Sequence, residues 1–232
     1  MTKEPYVKPS DFEAVRCLSV PLAEKLEAYQ ERLRARLPRV AAAYQDMIDR
    51  LVNAEVGTGA PGVGDRLPPF LLPDESGKLV SSDALLAVGP LVVSFNRGHW
   101  CPFCRLELLA LNDIYPDIKS LGAEVVSVTP QRASYMKQLR STWNIWFSFL
   151  SDMDNTYAFA NNLVVMVGDA VLSMYKQLDI DLAEFQSSIG KFLPIPATYV
   201  VAPGGIIVAA HVEPDLRKRM SPDAILTALR SI

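Results

Sequence analysis

The chain has 232 residues, enough to bury the core of one large domain or of one domain with an extension. Its 23 basic and 26 acidic side chains give a net charge of -3, which excludes the broad positive field that nucleic acid or an anionic membrane would need. The N-terminal segment lacks an apolar signal-peptide run, and no later segment has the length and apolarity of a membrane span. We therefore expect a soluble, cytoplasmic protein.

Large apolar residues recur at helical spacing between Leu22 and Leu51. The near-heptad spacing is interrupted beside Pro38, which predicts a stutter or a kink between two helices. The stripe either packs on the protein's own body or forms a dimerisation arm. A glycine- and proline-rich linker follows, so residues 1–61 are predicted to be a helical arm with its linker, and residues 62–232 the main domain.

The main domain begins with alternating β-rich and helical segments. A short apolar segment and a turn lead through a Ser or Asp cap into a short helix, and "PLVVSFN" then predicts a strand buried on both faces. A cysteine pair and a helix carrying Leu106, Leu109, Ile114 and Ile118 come next, followed by the strand "GAEVVSVTP". Strand, helix and strand in this order are typical of a right-handed crossover, so we predict an α/β fold.

The second half of the domain predicts further elements of the same kinds. "QRASYMKQLRSTW" is typical of a helix, "IWFSFLSD" of a strand and "NTYAFANNL" of a short helix. "ATYVVAP" and "IIVAAHV", joined by a glycine turn, predict a β-hairpin, and Ser221 should cap a last helix over Pro222–Arg230. The apolar run of residues 164–192 is broken by Gly168 and Asp169, and we expect an inserted helix with flanking loops there.

Cys101 and Cys104 lie three positions apart at the junction between the buried strand and the following helix. A thiol at a helix N-terminus faces free backbone N–H groups and the positive end of the helix dipole, which favour the thiolate. Cys101 is therefore the expected nucleophile, and Cys104 is close enough to resolve a mixed disulfide. Pro102 suits a helix start, and Trp100 and Phe103 should cover the sulfurs while leaving Cys101 reachable.

Two other uses of the pair compete with redox catalysis. A permanent disulfide is disfavoured because we expect a reducing compartment. A zinc site would need His99 or Cys17 as further ligands, but His99 is awkwardly spaced and no second CxxC or HxxxH motif is present. We therefore predict neither a metal nor another cofactor, and we expect Cys17 to be a free thiol, with an intermolecular disulfide as the alternative.

The motif "WCPFC" after an apolar strand resembles the thioredoxin superfamily. Over residues 62–232, "VGDRLPPFLLPDESGK" and "LPIPATYVVAPGGII" are similar to the alkyl hydroperoxide reductase / thiol-specific antioxidant group, the peroxiredoxin-like branch. The resemblance implies a thioredoxin-like fold, with a central mixed sheet flanked by helices. It also implies that Pro196 is the cis-proline that faces the cysteine pair in such folds.

The chain departs from the peroxiredoxin pattern Pro-x-x-x-Thr-x-x-Cys. Counted back from Cys101, the threonine and proline places hold Gly98 and Ser94, and counted back from Cys104 they hold Cys101 and Arg97. The place of the family's distant arginine holds Pro196.

Other residues could supply what the pattern lacks. Arg97 or Arg132 could donate to a peroxide, unless they are solvated surface arginines. Thioredoxins also place an acid before the pair to accept a proton, and here His99 or Glu107 could act instead, whereas Ser94 could not. His99 is equally well explained as an exposed loop residue, and we expect His211 to be structural.

These residues support three hypotheses about function. The first is thiol–disulfide exchange by Cys101 and Cys104, with a thioredoxin-like protein or a low-molecular-weight thiol as reductant. The second is a thioredoxin-dependent peroxidase acting on hydrogen peroxide or organic hydroperoxides. The third is a redox-sensing module whose N-terminal arm changes its partner. Because the threonine and the arginine are missing, the sequence favours disulfide exchange.

Overall fold

A mixed β-sheet forms the centre of the molecule in the computed structural model, which describes residues 9–186 and 188–232. The strand order is β5-β4-β3-β8-β9; β3, β4 and β5 are parallel, whereas β8 is antiparallel to both β3 and β9. The strands are β3 Leu91–Phe95, β4 Glu124–Thr129, β5 Ser148–Ser151, β8 Ala197–Val201 and β9 Ile207–Val212. Two short antiparallel pairs stand apart from this sheet: β1 Leu71–Pro73 with β2 Leu79–Ser81, and β6 Val164–Met166 with β7 Phe192–Pro194.

Helices flank the sheet, as the resemblance to thioredoxin-like proteins implies. They are α1 Pro9–Arg16, α2 Leu22–Arg36, α3 Pro38–Asn53, α4 Ser82–Leu86, α5 Pro102–Asp113, α6 Tyr115–Ser120, α7 Ala133–Trp143, α8 Thr156–Ala160, α9 Asp169–Gln177, α10 Leu182–Gln186 and α11 Pro222–Arg230. Over the described residues, none of these helices is both long enough and apolar enough to cross a bilayer. The predicted fold class, an α/β thioredoxin-like sheet with an N-terminal helical extension, is confirmed.

Strand β3 carries the cysteine pair to its position, and all five of its residues are buried. Its side chains alternate between two apolar clusters: Leu91, Val93 and Phe95 face one, and Val92 faces the other. A strand with core on both faces needs an apolar run instead of an alternating pattern, which is what the sequence shows. The carboxyl end of β3 therefore opens directly onto the loop that leads to α5.

The N-terminal helices pack on the body of the protein. The chain bends at Leu37, with φ -132° and ψ 63°, and Pro38 begins α3. Tyr29 of α2 and Tyr44 of α3 lie in the same apolar cluster as Cys101 and Phe103. The predicted break and the interpretation that this stripe covers the protein's own body are therefore confirmed.

Two elements differ from the sequence-based expectation. The segment of residues 164–192 contains the strands β6 and β7 as well as two helices, α9 and α10, instead of one inserted helix. Three-residue strands are too short to leave a periodic pattern. The first strand ends at Met166, and Gly168 is the N-cap of α9. The helix after the cysteines is divided at Ile114, because Pro116 lies at the start of a new helix, α6.

The cis-proline implied for Pro196 is wrong, since the described residues contain no cis peptide bond. The backbone N–H of Ile195 donates to the carbonyl of Leu163 at 2.6 Å and so extends the β6–β7 pairing. This amide therefore has its hydrogen-bond partner within the fold.

Candidate active site

The loop between β3 and α5 is held in place by Gln131. The Oε1 atom of Gln131 accepts from the backbone N–H of His99 at 2.8 Å. Gly98 has φ +132°, and a Cβ there would lie 2.7 Å from the side-chain carbon of Gln131. Only glycine fits this close approach in this backbone conformation, so the loop reaches the helix start with a fixed geometry.

Cys101 and Cys104 are both free thiols and are both buried, with 1% and 0% of their surface exposed. Cys101 is the N-cap of α5, and its sulfur accepts from the backbone N–H of Cys104 at 3.4 Å. The Cys104 thiol donates to the Cys101 sulfur across 2.7 Å. The Cys101 sulfur therefore accepts two hydrogen bonds, one from the backbone N–H and one from the thiol of Cys104, as expected if Cys101 is the nucleophile.

Arg97 lies on the Cys101 side of the pair and is almost fully buried. Its Nη2 donates to the Tyr175 hydroxyl, and its guanidinium carbon lies 5.0 Å from the centre of the Trp100 ring. Its Nη1 is buried without a hydrogen-bond partner in the described residues. Arg97 thus offers a positive charge and a free donor, and it is not a solvated surface arginine.

Arg219 lies on the Cys104 side of the pair. Its Nη2 is 3.7 Å from the Cys104 sulfur, and its Nε donates to Glu107 Oε2 at 2.5 Å. The two side chains of this ion pair are only 1% and 2% exposed. Glu107 Oε1 also accepts from Thr198 at 2.9 Å and from Ser94 at 3.4 Å, so the carboxylate is satisfied on both oxygens.

The surroundings change the acidity of the two thiols in opposite directions. Burial disfavours the Cys101 thiolate, but the hydrogen bond from Cys104 and the charges of Arg97 and Arg219 outweigh burial and lower the pKa of Cys101 to about 6. For Cys104, burial, the hydrogen bond to Cys101 and the charge on Cys101 raise the pKa well above the usual value of a thiol. At neutral pH the pair therefore holds one thiolate, at Cys101.

Cys101 is not reachable from the surface, which corrects the expectation that Trp100 and Phe103 would leave it accessible. The ring of Phe103 lies 5.2 Å from Tyr29 of α2 in an edge-on contact, and Trp100 lies 5.1 Å from Tyr175 of α9. The expectation considered only neighbours in sequence, whereas the cover comes from α2, α3 and α9.

His99 is a half-buried loop residue that is neutral at pH 7. Its ring stacks on Tyr135 at 4.6 Å and meets Phe185 edge-on at 4.7 Å. Burial, and then the charge of Arg105, lower the pKa of His99 to about 4, although a hydrogen bond with Gln131 acts in the opposite direction. The ordinary pKa that made His99 a candidate proton carrier is therefore absent, and a proton-handling role for it stays a prediction.

Two further candidates from the sequence, Arg132 and Cys17, lie at the surface. Arg132 is exposed at the start of α7, and Cys17 is an exposed free thiol. Across residues 9–186 and 188–232, no cluster of three or more His, Cys, Asp or Glu side chains could hold a metal ion.

Sequence reasoning missed Arg219 and Tyr175, which contact Cys104 and Arg97 respectively. Arg219 sits in "RKRM", among charges that are ordinary on a surface, so the local pattern gives no sign of its burial. Glu107 was the available clue, because an acidic residue within the apolar run "LELLAL" needs a buried cation.

A model of the AhpC/TSA family matches residues 63–210, more than half of the chain. The chain belongs to the AhpC/TSA family. Peroxiredoxin Q of Sedum lineare, named as chloroplastic, is 33% identical to this family member over 92 residues, which are 40% of this chain and 49% of that protein. A putative peroxiredoxin bcp of Coxiella burnetii is 26% identical over 94 residues, 40% of this chain and 62% of that protein. The chain thus spans about half the length of the curated relatives it matches.

Solved structures named as a peroxidoxin and a peroxiredoxin share the fold. Peroxidoxin BcpB from Mycobacterium tuberculosis aligns with a TM-score of 0.58 at 20% identity, covering 74% of this chain and 97% of that chain. A Xanthomonas campestris peroxiredoxin Q aligns with a TM-score of 0.53 at 21% identity, covering 70% and 90%. At these identities the likeness concerns the fold.

Proposed function

We propose that this AhpC/TSA family member is a thiol peroxidase that reduces hydrogen peroxide or a small organic hydroperoxide. The Cys101 thiolate attacks one peroxide oxygen, the O–O bond breaks, and the other oxygen leaves as water or an alcohol after taking a proton. Cys101 becomes a sulfenic acid, and Cys104 attacks its sulfur to form a disulfide and water. A dithiol reductant, a thioredoxin-like protein or a low-molecular-weight thiol, returns the pair to the reduced state.

One observation carries this proposal: the Cys101 thiolate is enclosed beside a buried arginine with a free donor. Thiolate attack on a peroxide develops negative charge on the leaving oxygen, and fixed donors in a dry site stabilise that charge strongly. The guanidinium of Arg97, with its unpartnered Nη1, supports this role. It compensates for the threonine and the distant arginine that the sequence lacks.

The enclosure of the pair disfavours the disulfide exchange that the sequence favoured as the main activity. A protein disulfide must bring its own sulfur to the attacking thiolate, and Cys101 is only 1% exposed. A hydroperoxide is small enough to enter through local opening. The peroxiredoxin names of the relatives also support peroxide as substrate.

Thiol–disulfide exchange remains a second candidate for one reason. The two sulfurs lie 2.7 Å apart and can close without a large backbone movement, so the oxidised pair could exchange with any thiol that reaches it. The sensing hypothesis has less support, because the apolar stripe of the N-terminal helices already packs inside the chain. A homodimer would therefore need a surface other than this stripe. The cytoplasmic location stays a prediction.

The proposal is tested by steady turnover of hydrogen peroxide with a thioredoxin system as reductant. We expect turnover by the parent protein and by the matched control Cys17→Ser, which removes the exposed thiol. Cys101→Ser should lose all turnover, since no thiolate remains to attack. Turnover that survives in Cys101→Ser would remove the proposal.

A further inference from the structure

We propose that Arg219 is a positioning residue that makes Cys104 a nucleophile only after Cys101 has been oxidised. The inference rests on the proposed peroxidase cycle, and it concerns the step that follows peroxide reduction. Arg219 lies beyond residues 63–210, the part of the chain that matches the AhpC/TSA family model.

The geometry around Arg219 is fixed and buried. Its Nε is held by Glu107 at 2.5 Å, and its Nη1 donates to the backbone carbonyls of Leu216 and Lys218. These contacts leave Nη2 directed at the Cys104 sulfur, 3.7 Å away. A guanidinium held by three acceptors cannot swing away from the sulfur.

The charges around the reduced pair balance. Two guanidinium groups face one carboxylate and one thiolate, carried by Arg97, Arg219, Glu107 and Cys101. Further titratable groups adjoin this cluster: Tyr175, Tyr44, which contacts Arg97 and Tyr175 electrostatically, and His211. Burial raises the pKa of Tyr175 and lowers the pKa of His211, so these two side chains are neutral at pH 7. A buried cluster with no net charge resists the formation of a second thiolate.

Oxidation of Cys101 disturbs this balance. The sulfenic acid at Cys101 is neutral, so the cluster gains one net positive charge, and the thiolate that repelled ionisation of Cys104 is gone. The two arginines continue to favour the Cys104 thiolate. Cys104 can then release its proton and attack the Cys101 sulfur; the S–S bond forms, the S–O bond breaks, and the hydroxyl leaves with that proton as water.

Two phases after mixing with hydrogen peroxide separate these steps. Tryptophan fluorescence in a stopped-flow instrument should show a first phase that depends on peroxide concentration, and a second, peroxide-independent phase for closure of the disulfide. When the rate of the second phase is measured against pH, Arg219→Gln should shift its midpoint to higher pH. At pH 7 the substitution should slow the second phase about tenfold more than the first phase, which corresponds to a rise of about one unit in the pKa of Cys104. Arg219→Lys should recover part of this loss.

We expect Glu107→Gln to have the opposite effect. It removes the negative charge but keeps Arg219, so the midpoint of the second phase should shift to lower pH. Lys218→Gln is the matched control, because it removes an exposed charge next to Arg219 in sequence and should leave both phases unchanged. Shifts of the midpoint in opposite directions for the arginine and glutamate variants would show an effect of charge, because a general loss of packing would not change sign. If Arg219→Gln does not fold, Arg219→Lys and Glu107→Gln still test the inference.

An unchanged second-phase midpoint in folded Arg219→Gln, or shifts of the same sign in the arginine and glutamate variants, would overturn the inference. A missing fast first phase would instead count against the peroxidase proposal alone. In that case Cys101 is loaded as a mixed disulfide with oxidised 2-mercaptoethanol, and release of the small thiol reports closure by Cys104. Dependence of that release on Arg219 would support the inference without peroxide.

Discussion

The two buried arginines beside the sulfur pair differ in what neutralises them. Arg219 is paired with the carboxylate of Glu107, whereas Arg97 contacts a neutral hydroxyl on Tyr175 and the face of Trp100. The charge of Arg97 therefore attracts the Cys101 thiolate more strongly than that of Arg219, and burial strengthens that attraction because water screens it poorly. Under the proposed function, this difference favours Arg97 as the residue that acts on the peroxide.

Arg97→Gln tests the assignment. Removal of the charge and of the free Nη1 donor should slow the reaction of the reduced protein with hydrogen peroxide by about 10²- to 10³-fold, the usual loss for one such donor. The rate is measured under single-turnover conditions, with exposed Arg132→Gln as the matched control. Equal rates for the two variants would show that Arg97 does not act on the peroxide.

The low pKa of Cys101 predicts the pH dependence of the same reaction. Only the thiolate attacks, so the rate constant should rise with pH to a plateau, with a midpoint near the pKa of about 6. A rate that keeps rising through pH 8 to 9, as for an ordinary thiol, would show that the arginines do not stabilise the thiolate. Cys17→Ser should give the same profile as the parent.

The helices α2 and α3 cover the cysteine pair, and the sequence predicted their presence but not their position. Apolar spacing and Pro38 located both helices and the bend between them. The pattern could not say which surface the stripe meets, because own-body packing and dimerisation both require the same apolar face. The contact of Tyr29 with Phe103 decides it in the structure.

Tyr29→Ala measures what this cover contributes. Tyr29 is 1% exposed, so its removal leaves a cavity and should lower the free energy of unfolding by about 3 to 5 kcal/mol in urea titrations. It should also raise the rate at which Cys101 reacts with an aromatic disulfide reagent by about tenfold or more, since local opening becomes easier. The exposed Glu27→Ala on the same helix is the control, and equal reactivity of the two variants would contradict a covering role.

For the molecule as a whole, the main domain was far easier to predict than the site. The buried strand β3, the hairpin of β8 and β9, and the capped helix α11 follow from local patterns, and the motif "WCPFC" located both sulfurs. The groups that complete the site come from distant parts of the chain, Tyr29 before the matched family region and Arg219 after it. A domain boundary near residue 61 stays a prediction. Residues on both sides of it lie in one apolar cluster around the cysteine pair, so the spacing of residues along the chain could not predict the complete site.

Stability against pH should reflect the acidity of Cys101. Its pKa is lowered on folding, so the unfolded chain binds more protons than the native state between the folded pKa near 6 and the unfolded pKa of a thiol. The stabilisation from this thiolate is therefore fully present above the unfolded pKa and is lost as pH falls toward 6. From pH 6 to 8, the unfolding free energy of the parent minus that of Cys101→Ser should rise by roughly 2 kcal/mol. A difference that stays constant over this range would contradict the lowered pKa.

The most direct test of the central claim is the rate at which fully reduced protein reacts with hydrogen peroxide at pH 7. Tryptophan fluorescence reports it, because Trp100 adjoins Cys101 and the charge of Arg97. We predict a second-order rate constant orders of magnitude above that of a free thiol at the same pH. A rate constant equal to that of a free thiol would contradict a peroxide site built from Cys101 and Arg97.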